Sequence, residues 1–400
     1  MDLTPQQAVA QLKRLASDLI TEADLEKRLT KAAESKQPLR IKFGIDPTFT
    51  DVHIGHSVPI RVLRLFQRMG HMPILLLGDA TARLGDPTGR NEQRPPLSEA
   101  DVSHNAETYL DQIGTILDLS PEKCEIRRNS EWFGGMDFFD ALRLLGRGTV
   151  ARMLERDDFQ KRMENRQPIH LHEMMYPLMQ GWDSVMLNAD VELGGNDQLF
   201  NLHMGRLLQE RNEQQPQVCL TTPLLLGTDG RKMSKTYANH VPLNGTANDM
   251  YGKIMSLSDD IMPDWFRMVT ELSDEEAAKW LAGHPRKAKG KLAWEVCREI
   301  HGNEAADGAA EEFTRRFKKK ELPQDIPSVA LAAQALPLPN LMKDAGLCHS
   351  TSEARRLIKG GGVRLDGVVQ SDPNAQIEVK GDVELLLQAG KRRFVKITAE

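Results

Sequence analysis

Cysteine is scarce in this chain: Cys124, Cys219, Cys297 and Cys348 are the four among 400 residues, and no two are spaced as zinc-knuckle ligands. Cysteines spread this widely read as reduced thiols, which places the protein in the cytoplasm. The first residues, MDLTPQQAVAQLKRLASDL, have the pattern of an amphipathic helix. They lack the basic start, apolar middle and small-residue cleavage site of a secretion signal. No apolar run approaches the roughly 18 residues a membrane helix needs, so no membrane partner is expected. Internal repeats and low-complexity segments are also missing, and no strong excess of one charge is present. The net charge of −5 does not exclude a nucleic-acid partner, because binding needs only a local basic surface. Such a surface points to the C-terminus, where residues 341–400 carry ten Lys/Arg against eight Asp/Glu.

What is present fits an ordinary globular protein, with 40% hydrophobic and 27% charged residues. At 400 residues the chain exceeds what one core usually organises, so two or three domains are expected. LRIKFGI (39–45) reads as a strand, 54–69 as an amphipathic helix and PILLLGDA (73–80) as a buried strand, the βαβ signature of a parallel sheet. The signature returns at VELGGNDQLFNLHMGRLLQE, from Val191, and VCLTTPLLLG, from Val218, with a mostly helical stretch between the halves. The expected fold is α/β: residues 1–245 form a parallel-sheet domain with a helical insertion at about 97–177, and 246–322 an all-helical domain. A Pro- and Ala-rich linker is expected at 323–340, and a small α+β module at 341–400.

Two segments carry chemistry. In DVHIGHS (51–57), His53 and His56 are three apart at a helix start and share one face. Gly55 between them lets a flat group approach the backbone, and a helix N-terminus favours phosphate. In DGRKMSKT (229–236), Lys232 and Lys235 lie in a glycine-flanked polar loop after a strand, where two ammonium groups can follow charge onto a departing pyrophosphate.

Together these segments resemble the two nucleotide signatures of class I aminoacyl-tRNA synthetases. The resemblance implies a Rossmann-type catalytic domain in which an ionised amino-acid carboxylate attacks the α-phosphate of ATP. Positioning and charge stabilisation then carry catalysis without a general base. It assigns Thr48, His53, His56, Lys232 and Lys235 to the phosphates, with Arg90 and Arg94 facing the pyrophosphate. Gly44, Asp46, Gly55, Gly195, Asp197 and Met233 would complete the ATP site, and Mg²⁺ would accompany ATP as a counterion rather than in a protein cage.

YPLMQGWD places Tyr176, Gln180 and Asp183 on one helix face, with Pro177 kinking or starting that helix. This pattern, LGDPTGR (84–90) and GGNDQ (194–198) are similar to motifs of the tyrosyl-tRNA synthetases. By that resemblance Tyr176, Gln180, Asp86 and Gln198 meet tyrosine, and Asp183 accepts from its phenol. Phenylalanine would leave that acceptor desolvated and unpaired. One position departs: many members carry tyrosine four residues before the Asp of Asp-Pro-Thr, where this chain has Lys42, which could contact the phenol hydroxyl or point elsewhere.

LCHSTSEARRLIKGGGVRLDGVV (347–369) resembles the S4 RNA-binding module, with Thr351 or Ser352 as helix cap. Arg355, Arg356, Lys359 and Arg364 would face phosphates, joined by Lys391, Arg392 and Arg393. The family implies tRNA(Tyr) as partner and a homodimer built on the helical insertion. A tryptophanyl enzyme, a nucleotidyltransferase acting on a small metabolite and a non-catalytic RNA-binding relative are the rival readings. Trp132, Trp265, Trp280 and Trp294 read as core, Met174 and Met175 as packing, and His104, His170, His172 and His203 as structural or exposed.

Overall fold

The structure, a computed structural model, describes residues 3–48, 50, 52–84, 98–234, 237–318, 326–380, 384–390 and 393–399. Asp86, Arg90, Arg94, Lys235, Lys391 and Arg392 lie outside the described residues.

Six strands form the sheet of the first unit: β1 (Asp18–Ile20), β2 (Arg40–Ile45), β3 (Met72–Leu77), β4 (Glu125–Arg128), β5 (Val191–Gly195) and β6 (Val218–Thr222). Their order is β1-β6-β5-β2-β3-β4, parallel throughout except for β1 at the edge. The strand β3 is apolar throughout and β6 is buried along its whole length, as befits a parallel sheet covered on both faces. Between β2 and β3 runs the helix Ser57–Arg68, which buries Val58, Ile60, Val62, Leu63 and Phe66. The helices Tyr176–Met186 and Leu199–Arg211 pack against each other so closely that a Cβ on Gly181 would lie 3.0 Å from the backbone of Met204 and Gly205.

Two expectations about domain limits change. The segment 246–322 is not a separate compact body: the first unit runs from Met1 to Phe313. Its core is one cluster that joins Ile41, Leu63 and Phe66 to Trp265, Phe266, Val269 and Val296. Ion pairs tie the same surfaces, with Arg64 to Glu299 at 2.5 Å and Arg68 to Glu271 at 2.7 Å. Likewise 323–340 is not a bare linker, since it contains β7 (Ser328–Leu331) and β8 (Ala335–Pro337).

The second unit, Thr314–Glu400, continues with β9 (Val363–Leu365), β10 (Val368–Gln370), β11 (Gln376–Glu378), β12 (Leu385–Ala389) and β13 (Arg393–Ala399). One sheet has the order β10-β9-β12-β13-β7, and β8 pairs with β11. Its core gathers Leu338, Leu341, Met342, Ala354, Ile358, Leu387 and Ile397. Ser350 caps the helix Thr351–Lys359 by accepting from Glu353 N, in place of the expected Thr351 or Ser352. The helix begins at Thr351, so Ser350 is the residue still in extended backbone.

Candidate active site

The C-terminal ends of β2, β3 and β5 open onto one face of the sheet, and the sequence motifs collect there. After β2 the chain turns through Asp46, Pro47 and Thr48, held from outside by Asn105 Nδ2 on the Pro47 carbonyl at 2.9 Å. Asp46 accepts from Thr81 Oγ1 at 2.7 Å and from the Tyr176 hydroxyl at 2.8 Å. Gly78 makes room for it, since a Cβ there would lie 2.1 Å from Asp46 Oδ1. Space is open above Gly44, where a Cβ would meet nothing within 4 Å, so a flat group can approach the end of β2.

His53 and His56 lie beyond this turn with their rings stacked, centroids 3.8 Å apart and planes inclined by 21°. Burial drives both toward neutrality: His53 falls to about 3, helped by the nearby His56 and His240, and His56 to about 4. Because His56 Nδ1 accepts the backbone N–H of His53 at 3.2 Å, its proton sits on Nε2. His53 Nδ1 is buried without a hydrogen-bond partner. Two neutral imidazoles therefore offer directed hydrogen bonds to an anion rather than charge.

The second nucleotide segment is brought to the first through the backbone. Ile54 N donates to Val241 O at 2.8 Å, and Leu243 N to Val52 O at 2.9 Å. Met233 is buried and faces Gly55, 3.6 Å from where a Cβ would sit. Lys232 is exposed. The loop is pinned by buried Asn239, which donates to Asp229 Oδ1 at 2.7 Å and to Lys232 O at 3.2 Å, and accepts from Ser234 N at 2.8 Å. Residues some 175 apart in sequence are thus brought side by side.

The other side is the helix Tyr176–Met186, with Pro177 in its first turn, where a missing N–H costs nothing. Its interior end carries Asp183, nearly inaccessible, which accepts from Trp132 Nε1 at 2.9 Å and, more weakly, from Asn129 Nδ2 at 3.5 Å. Burial pushes its carboxyl up to about 7, against the pull of the Lys42 charge and of the two donors. A carboxylate can accept about four hydrogen bonds, so two donors leave capacity for a third. Asn129 and Trp132 are partners of Asp183 that sequence reasoning missed, since Trp132 reads simply as core. Trp265 is core as expected, whereas Trp280 is substantially exposed.

Lys42 does not face the opening. It is completely buried, and its ammonium donates to Gln180 O, Ser184 Oγ and Glu192 Oε1, each at 2.8 Å. All three donors are spent inside the protein, so the expected contact with tyrosine is corrected to a place beneath the helix. Gln180 and Gln198 border the opening from the helix and from the turn after β5, where Gln198 Oε1 accepts Gly195 N at 3.2 Å. Asp197 is exposed beside them. Among the described residues no group of three His, Cys, Asp or Glu could hold a metal ion.

In the second unit Arg355, Arg356, Lys359 and Arg364 are all exposed, on one helix and the following strand. Arg393 is exposed as well, but its guanidinium is engaged within the unit, donating to Leu347 O at 2.6 Å and Glu353 Oε1 at 3.0 Å.

Known proteins resemble this chain along nearly its whole length. The family described as tRNA synthetases class I (W and Y) matches residues 34–318, and the S4 domain matches 336–383. A tyrosine–tRNA ligase of Moorella thermoacetica is 46% identical over 96% of this chain and 94% of its own. That of Idiomarina loihiensis is 47% identical over 98% of both chains. Among solved structures, a C-terminally truncated mitochondrial tyrosyl-tRNA synthetase of Aspergillus nidulans superposes with a TM-score of 0.65 at 26% identity, over 78% of this chain and 94% of that one. The chain belongs to the class I tRNA synthetases, on their tyrosyl branch, and carries an S4 domain at its C-terminal end.

Proposed function

We propose that this synthetase recognises L-tyrosine through a buried acid, activates it with ATP and transfers it to the 3′-terminal adenosine of tRNA(Tyr). Asp183 is the observation that carries the reading. Its carboxyl is buried on the helix Tyr176–Met186 with Trp132 and Asn129 as donors and capacity for one more. A para-hydroxyl supplies that donor, and a phenyl ring leaves the acceptor unpaired at a cost of roughly 1–3 kcal/mol. At the other end of the substrate, the ammonium meets Tyr176, Gln180 and Asp86, with Gln198 beside it.

The tyrosine carboxylate is already ionised, so attack on the α-phosphate needs alignment rather than proton removal. Thr48 and the neutral His53 and His56 donate hydrogen bonds to the phosphates as the geometry changes. Lys232 and Lys235, with Arg90 and Arg94, draw off the charge that accumulates on pyrophosphate. Gly44, Asp46, Gly55, Gly195, Asp197 and Met233 shape the nucleotide's place, and Mg²⁺ arrives as the counterion of ATP.

The exposed arginines and Lys359 of the second unit contact tRNA phosphates. A homodimer forms through the insertion, which exposes Phe138 at 71%, Phe139 at 65% and Val150 at 63%, an apolar face that water disfavours. The enzyme works in the cytoplasm. ATP–pyrophosphate exchange with each of the twenty amino acids tests the substrate: tyrosine alone should support rapid exchange. Rapid exchange with tryptophan, or none with tyrosine, would reject the reading.

A further inference from the structure

Beneath the substrate helix runs a chain of buried polar groups that no step above requires. At one end stands Arg156, which is buried and can only donate; its Nη1 donates to Asn201 Oδ1 at 3.3 Å. Asn201 is therefore held with its nitrogen turned the other way, and Nδ2 donates to Gln180 Oε1 at 2.9 Å. At the far end stands Glu192, also buried. As a carboxylate beside the Lys42 ammonium it can only accept. Gln180 Nε2 donates to Glu192 Oε1 at 3.0 Å. The same carboxylate accepts from Ser184 Oγ at 3.0 Å and from Gln217 Nε2, so its position is over-determined.

The two faces of an amide differ in hydrogen-bonding sense, and turning one over exchanges donor for acceptor. Here the sense is not free. Arg156 fixes Asn201, Glu192 fixes Gln180, and the two amides agree with each other. Turning Gln180 over would set its oxygen against the Glu192 carboxylate and its NH₂ against the Asn201 NH₂ at once. We propose that Lys42, Glu192, Asn201 and Arg156 are positioning residues that lock the Gln180 side chain with its oxygen as acceptor, so that its second lone pair is presented to the substrate ammonium. The inference rests on the reading that Gln180 meets that ammonium. It also accounts for lysine at position 42: a tyrosine there could not neutralise Glu192, and the acceptor-only end of the chain would be lost.

The test separates ammonium recognition from general fit by comparing tyrosine with its desamino analogue, 3-(4-hydroxyphenyl)propionate, in equilibrium binding to the full chain. Exchanging the buried pair, as Lys42→Glu with Glu192→Lys, puts a donor-only group against Gln180 Nε2, so the two ends of the chain no longer agree on the sense of the Gln180 amide. Tyrosine affinity should fall at least about tenfold, since a hydrogen bond to a charged group is lost, while the analogue stays within about twofold. Glu192→Asp retains the ion pair but withdraws the carboxylate from Gln180, and serves if the exchanged pair does not fold. It should cost tyrosine about fivefold with the same sparing of the analogue. Equal losses for both ligands, or no loss for either, would overturn the proposal. Gln180→Met reports on the underlying reading. If it leaves the tyrosine-to-analogue ratio unchanged, Gln180 does not meet the ammonium and both statements fall. If it lowers the ratio while the Glu192 variants do not, only the positioning role falls.

Discussion

Replacing Asp183 by asparagine probes its proposed role in reading the phenol with no change of volume. In the native site the Asp183 oxygens face two donors, Trp132 Nε1 at 2.9 Å and Asn129 Nδ2 at 3.5 Å. An asparagine can satisfy Trp132 with its one oxygen, after which its NH₂ faces the Asn129 side and the phenol. The acceptor for the hydroxyl is then gone. A hydrogen bond to a charged acceptor contributes about 1.5–3 kcal/mol, so kcat/KM for tyrosine in pyrophosphate exchange should fall by roughly 10- to 100-fold. Phenylalanine never used that bond, and its kcat/KM should move by less than about threefold, narrowing the gap between the two substrates. The pH dependence gives a second reading of the same group. With its carboxyl near 7, Asp183 gains its charge across neutrality, and a phenol donor favours the charged form. Tyrosine affinity should therefore strengthen as pH rises from 6 to 8 in the native enzyme and stay flat in Asp183→Asn. Equal losses for both amino acids, or an unchanged preference for tyrosine, would show that Asp183 is structural and that the phenol is read elsewhere.

Lys232→Ala should slow adenylate formation at least about tenfold in stopped-flow traces while tyrosine affinity stays within about twofold, because the exposed ammonium acts on charge that develops late. Phe139→Asp should dissociate the proposed homodimer in sedimentation, since a charge placed on the proposed apolar interface would shed its water without gaining a partner. His53 and His56 are held below their ordinary value, so the unfolded chain binds more protons as pH falls below about 6.5. Thermal stability should be full above that value and decline toward pH 4, less steeply in His56→Gln than in the native protein. Charge reversal at Lys359 should weaken tRNA binding and lower the salt slope by about 0.9 for each phosphate that is no longer neutralised.

Much of this architecture can be read from the sequence where local signals agree. Strand β2, the helix after it and strand β3 carry their own periodicity, and the glycine turn after Val191 marks β5. The two nucleotide-signature motifs are legible because each is contiguous, and their meeting across 175 residues follows from the parallel order of β2, β5 and β6. What stays hidden depends on long-range pairing. β1 has three residues and exists only because it finds the edge of β6. β7 looks like linker because its partner β13 lies at the opposite end of the second unit. Lys42 is conspicuous as a departure, yet its meaning depends on Glu192, its neighbour in register across β2 and β5, far away in sequence. Trp132 resembles any core tryptophan until Asp183 is placed against its N–H. The helix cap falls on Ser350, just before the two expected residues, because three adjacent hydroxyls, Ser350, Thr351 and Ser352, compete for that place.

A crystal structure with a non-hydrolysable tyrosyl-adenylate analogue tests the central claim most directly. The phenol oxygen should sit within hydrogen-bonding distance of Asp183, the ammonium against Gln180 Oε1, and the phosphate beside His53 and His56. A ring turned away from Asp183, or a phosphate remote from the two histidines, would contradict the account.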